Sequence, residues 1–121
     1  MQIRTSTGSG FTLVEIMIVV AIIGLLASIA LPNFVQARTT SQTNACINNL
    51  RQIDSAKQQW ALENKLAATA SPADSSLQPY ISHGGSFPPL CPGNGTYTVG
   101  DVATAPTCTL STQVLNPHIL P

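Results

Sequence analysis

A chain of 121 residues has room for one small domain at most, and for less where part of it is committed to a bilayer. Only 8% of its residues are charged, against about a quarter in an ordinary soluble protein. With a formal net charge of zero and scattered Lys and Arg, it has no basic patch for phosphates, which excludes dedicated nucleic-acid binding. The shortage of charge is local: no ionisable side chain occurs between Glu15 and Arg38, whereas the rest is rich in Ser, Thr, Asn, Gln, Pro and Gly.

Residues 1–10 are polar and carry one positive charge, Arg4; the run FTLVEIMIVVAIIGLLASIALP follows. From Phe11 to Leu31 it would rise about 31 Å as an α-helix, close to the hydrocarbon thickness of a bilayer. Arg4, the only basic residue before it, favours a cytoplasmic N-terminus. Three readings compete. A secretory signal peptide would use the small residues Ser28 and Ala30 before a cut, but Glu15 interrupts its apolar centre. A plain membrane anchor explains the hydropathy and leaves Glu15 as an expense of up to about 3 kcal/mol at mid-bilayer. The third reading gives Glu15 a partner: a cut after Gly10 would place a new amine at Phe11, one helical turn away, and the two charges would compensate each other.

These residues carry a resemblance. The segment GFTLVEIMIVVAIIGLLASIALP resembles the N-terminal signature of type IV pilins and of the pseudopilins of type II secretion. It has a leader ending at Gly10, Phe11 next, Glu15 as fifth residue of the mature chain, a long apolar run containing Gly24, and Pro32 at its end. The resemblance implies cleavage by a prepilin peptidase between Gly10 and Phe11, methylation of the Phe11 amine, and storage in the bacterial inner membrane with the N-terminus cytoplasmic and the C-terminal domain exported. It further implies growth of a helical filament, periplasmic or at the cell surface. Glu15 would pair with the Phe11 amine of an adjacent subunit. The partners implied are the peptidase, identical subunits, an inner-membrane assembly platform and minor pilins.

Gly24 weakens a helix by about 1 kcal/mol relative to alanine, and Pro32 lacks an amide donor and crowds the preceding turn. A kink or melted stretch between them is one expectation and simple tolerance in a membrane helix is the other. Past Pro32 the sequence turns polar, yet Cys46, Leu50, Ile53, Lys57, Trp60 and Ala61 fall on one helical face, with Trp60 expected in the core. Asp54 and Lys57 can pair at i,i+3. A helix from Phe11 to about Leu66 would be roughly 84 Å long. The remaining residues cannot cover it, so a bilayer or copies of the chain must.

The C-terminal portion reads as small elements. Ala67 to Ala70 is a joint, and Ser71 is placed to cap a short helix from Pro72 to about Leu77 that Pro79 ends. His83 to Ser86 form a turn, with His83 a solvated loop residue. Phe87 to Pro92 is stiff and extended, Gly93-Asn94-Gly95 turns, and Thr96 to Val99 is a strand with an antiparallel partner in Pro106 to Leu110. The fold expected is α+β: a leader at 1–10, an assembly half of the helix at 11–32, an amphipathic half at 33–66, and at 67–121 a small domain with one short helix and a hairpin. Small pilin-like proteins often carry such a unit.

Three cysteines, Cys46, Cys91 and Cys108, allow three pairings. A Cys91–Cys108 bond, formed in an oxidising compartment, is favoured because closing that loop would contribute roughly 3 kcal/mol to a domain with little core. His83 and His118 form no metal-ligand spacing with them, no acidic cluster accompanies Asp101 to hold calcium, and no metal or cofactor is expected. No nucleophile with a base, paired acids or phosphate loop occurs, so an enzyme is not expected. The function expected is a structural subunit of a type IV pilus or type II secretion pseudopilus; the alternative is a monomeric membrane-anchored module with an exported binding domain.

Overall fold

The computed structural model describes Ile3 and residues 8–81, 86–112 and 117–121; Arg4, His83 and the rest of the 83–85 turn lie outside the described residues. The architecture is α+β, as expected. One helix, α1 (Leu13–Glu63), precedes a short helix α2 (Asp74–Leu77), a 3-10 turn (Gln78–Tyr80), strands β1 (Tyr97–Thr98) and β2 (Thr107–Cys108), and a second 3-10 turn (Thr109–Thr112). The chain divides into two compact units, Met1–Gln36 and Ala37–Pro121, and α1 contributes to both.

In the first unit α1 is apolar all round, and every described residue from Gly8 to Arg38 is exposed. The helix runs unbroken through Gly24 and Pro32, so no melted stretch separates them. An ideal Cβ at Gly24 would meet nothing within 4 Å, so no packing within this chain requires a glycine there. Pro32 cannot donate to the carbonyl of Ser28. In the adjoining turns Ser28 Oγ donates to the Leu25 carbonyl at 2.7 Å, and Asn33 Nδ2 donates to the Ile29 carbonyl at 3.3 Å.

In the second unit α1 buries Thr43, Cys46, Leu50, Ile53, Ala56, Lys57 and Ala61, a stripe at three- and four-residue spacing. Trp60 is half-buried at the rim of this stripe rather than in the core. The helix ends in a Schellman motif: Lys65 is left-handed at φ 52°, Leu66 N–H donates to the Ala61 carbonyl at 3.0 Å, and Lys65 N–H donates to the Leu62 carbonyl at 3.3 Å.

The short helix differs from the expected Ser71-capped one. It begins at Asp74 with Ala73 at the cap and no side-chain cap bond, while Pro72 is buried and Pro79 lies within the 3-10 turn, whose geometry tolerates it. Strands β1 and β2 pair antiparallel with Tyr97 opposite Cys108 and Thr98 opposite Thr107, as the turn signals predict. So small a sheet is marginal alone. It is held to α1 by side chains of the helix: Gln42 Nε2 donates to the Pro92 carbonyl, Asn49 Nδ2 to the Leu90 carbonyl and the Tyr97 hydroxyl, and Gln58 Nε2 to the Val102 carbonyl. The joint at Ala67 to Ala70 accepts from the hairpin loop, Val102 N–H donating to Ala70 and Ala103 N–H to Ala68.

Candidate functional site

The expected processing and assembly residues lie at the start of α1, where the sequence Thr12-Leu13-Val14-Glu15 makes a capping box. Glu15 N–H donates to Thr12 Oγ1 at 3.2 Å, and Glu15 Oε2 accepts from the Thr12 amide at 3.2 Å and its hydroxyl at 3.4 Å. The Thr12 carbonyl accepts from Ile16 N–H at 3.3 Å, which fixes Thr12 as the cap. The spacing T-x-x-E is the sequence signal of this cap, beside the apolar pattern that dominates the segment. In the uncut chain the Phe11 nitrogen is a peptide amide, and the Glu15 carboxylate is engaged by its neighbour. Gly10 and Phe11 precede the helix in exposed, irregular backbone.

Past this box, from Ile16 to Leu31, every residue of α1 is exposed and Ser28 carries the one polar side chain, the apolar ones including Ile16, Val19, Ile23, Leu26 and Ile29. A window of this helix near its N-terminus, of mean hydropathy 2.7, has none of its residues buried, and it is long and apolar enough to cross a membrane.

Two polar centres lie in the second unit. At one, Lys57 is fully buried and its three ammonium protons are donated to the carbonyls of Val99 at 2.9 Å, Asp101 at 3.0 Å and Thr104 at 2.5 Å. Its Nζ stands 3.9 Å from Asp54 Oδ1, the expected i,i+3 pair. Burial pushes the ammonium below the ordinary lysine range, against the pull of Asp54 and Asp101. Asp101 Oδ1 accepts from Thr104 N–H at 2.7 Å, and the Thr104 hydroxyl and amide hold its carboxyl below the usual carboxylate value. The β1–β2 loop is thus tied to the helix by a cation.

At the other, Cys46 from α1, Cys91 from the extended loop, Cys108 from β2 and His118 from the C-terminal tail converge, all buried, with their donor atoms within 4.8 Å of one another. Spacing along the chain gave no sign of this grouping, because each comes from a different element. All three cysteines are free thiols; Cys91 and Cys108, the pair expected to bond, are neighbours with sulfurs 3.9 Å apart. His118 Nδ1 is 3.7 Å from Cys91 Sγ. The Tyr97 hydroxyl donates to Cys46 Sγ at 3.3 Å. Burial pushes the Cys46 thiol up to about 12. Burial would also raise Cys91, but the N–H groups of Gly93 and Gly95 and the two neighbouring thiols together hold it below the usual thiol value. Burial lowers His118 below the usual imidazole value. Leu50, Tyr97, Leu110 and Leu120 pack around the thiols.

An exposed, capped apolar helix whose second half carries a small α+β unit is the architecture expected from the resemblance to type IV pilins. Residues 7–31 match the prokaryotic N-terminal methylation motif, and the relatives with which the chain shares its N-terminal portion are type IV pilins and fimbrial proteins. It is 46% identical over 54 residues to the type IV major pilin protein PilA of Myxococcus xanthus, covering 45% of this chain and 24% of that protein. It is 39% identical over 66 residues to a fimbrial protein of Pseudomonas aeruginosa, covering 54% of this chain and 43% of the other. Over 85 residues it is 36% identical to the type IV major fimbrial protein FimA of Dichelobacter nodosus, covering 59% and 53%. The chain therefore spans between about a quarter and a half of the length of these relatives. No solved structure matches it.

Proposed function

We propose that this chain is the precursor of a pilus subunit, cut between Gly10 and Phe11, N-methylated at Phe11 and polymerised through the apolar half of α1. The single observation that carries the reading is that half of a helix this apolar has no cover of its own while its second half is fully furnished with one. Before assembly the bilayer supplies that cover, with the C-terminal unit exported; afterwards neighbouring copies do. The relatives are pilins and fimbrial proteins, which favours a pilus over a type II secretion pseudopilus. Partners are then the prepilin peptidase, identical subunits, an inner-membrane assembly platform and minor pilins.

Glu15 has two successive partners in this reading. In the precursor it caps the helix through Thr12. Cleavage frees a cationic amine at Phe11, and in the filament Glu15 pairs with that amine on an adjacent subunit, so neither charge is left alone in apolar surroundings. Gly24 and Pro32, the weakest helix formers in the stretch, are the places where helices could bend as they pack.

Mass spectrometry of the protein from its native host tests this directly. The expected terminus is N-methylated Phe11; an intact Met1 would favour the membrane-anchored binding module, and a terminus at Leu31 would make the segment a signal peptide. Glu15→Ala should leave the chain in the membrane and strongly reduce sheared filaments.

A further inference from the structure

We propose that Cys46, Cys91, Cys108 and His118 form a structural zinc site in the C-terminal unit. Zinc bonded to thiolates at about 2.3 Å and imidazole at about 2.0 Å, in tetrahedral array, sets its sulfurs about 3.8 Å apart and its nitrogen slightly nearer. The Cys91 and Cys108 sulfurs are 3.9 Å apart, and His118 Nδ1 lies 3.7 Å from Cys91 Sγ. All four donor atoms fall within 4.8 Å of one another, so shifts below about an ångström complete the tetrahedron.

The surroundings fit the metal in three independent ways. First, the histidine presents the correct nitrogen. The Thr43 hydroxyl donates to the Thr39 carbonyl at 3.1 Å, which uses its only proton. At 3.2 Å from His118 Nε2 its oxygen can then only accept, so the ring proton sits on Nε2 and the Nδ1 lone pair faces the thiols. Second, donors aim at sulfur: the Tyr97 hydroxyl reaches Cys46, itself positioned by Asn49 Nδ2 at 3.1 Å, and the Gly93 and Gly95 amides reach Cys91. Three thiolates around Zn²⁺ leave one net negative charge, which these donors balance; the three thiol protons leave on binding.

Third, the backbone is shaped for close approach. A Cβ on Gly95 would lie 2.6 Å from Cys108 Sγ, and one on Gly93 would lie 3.1 Å from the His118 ring, while Asn94 between them is left-handed at φ 64°. Leu50, Leu110 and Leu120 line the cluster with apolar side chains, and four protein donors fill the coordination of a structural rather than a catalytic site. A Cys91–Cys108 disulfide would use only two of the four groups and leave the oriented imidazole and the Tyr97–Cys46 contact without purpose.

The test uses the full chain extracted in detergent without added metal. Elemental analysis should find one zinc per chain, and alkylation in denaturant with a chelator should label all three cysteines. Replacing zinc with Co²⁺ should give thiolate-to-cobalt charge-transfer absorption and the visible bands of a tetrahedral site. Cys46→Ser and His118→Ala should each bind zinc at least about tenfold more weakly. Zinc well below stoichiometry, iron in its place, or a Cys91–Cys108 disulfide in the extracted protein would overturn the proposal, and these readings on the unaltered chain stand even where a variant does not fold.

Discussion

The two halves of α1 share one backbone conformation and differ in everything that surrounds it. From Leu13 to Arg38 no residue is buried, although most are apolar; from Thr43 to Ala61 seven are buried, although the sequence is largely polar. Apolar content therefore does not say where a helix is covered. In the second half a sparse stripe suffices because the loops and hairpin bring their own apolar and polar partners to it. In the first half the apolar surface faces in all directions, which one small domain cannot match and which a bilayer or a ring of like helices can.

The largest expected contrast comes from making the same substitution in each half. Leu50 is fully buried, and Leu50→Ala should destabilise the C-terminal unit by about 3 kcal/mol through lost transfer energy and a cavity. Leu26 is 63% exposed, and Leu26→Ala should change that stability by less than about 0.5 kcal/mol while weakening filaments. Denaturant unfolding in detergent, followed by Trp60 fluorescence, measures both. Equal losses would mean that the halves are not independent.

Each half also holds one ionisable residue with a defined role. Lys57→Met leaves the carbonyls of Val99, Asp101 and Thr104 without their donor, and a loss of about 2 kcal/mol in the same unfolding assay is expected. Glu15→Gln should leave that value unchanged, since among the described residues its hydrogen bonds go to Thr12 at the helix start.

Much of this fold is legible in the sequence because its signals are local. The apolar run, the i,i+3/i+4 stripe through Cys46, Leu50 and Ile53, and the Gly-Asn-Gly turn before β1 each involve neighbours along the chain. The capping box is equally local, but a charge in apolar sequence and an acceptor three residues after a threonine are two properties of the same Glu15, and hydropathy reports only the first. The short helix starts later than Ser71 and Pro72 suggest, because a favourable cap sequence is only a weak preference, and here Pro72 is buried. The thiol and imidazole cluster was not legible. His118 reaches Cys91 and Thr43 only through the path of the whole C-terminal unit, and no periodicity encodes that path.

The smallest expected effect concerns the loop that covers Lys57, and it separates the halves by pH. The carboxyl of Asp101 is held below its usual 3.8 by the Thr104 hydroxyl and amide, with Lys57 as a further, weaker attraction. A depressed folded-state value means that the contribution to stability is fully present above the ordinary carboxylate value and is lost as pH falls through the lower, folded one. Asp101→Ala should therefore unfold slightly earlier than the unaltered chain at pH 6, and the gap should close below pH 3.8. Taking the difference between the two proteins at each pH removes the titrations they share. The helical signal of the apolar half of α1 should be the same in both across the range, because Asp101 makes its contacts to Thr104 and Lys57 in the C-terminal unit. A gap that persists at low pH would place the role of Asp101 in its backbone geometry instead of its charge.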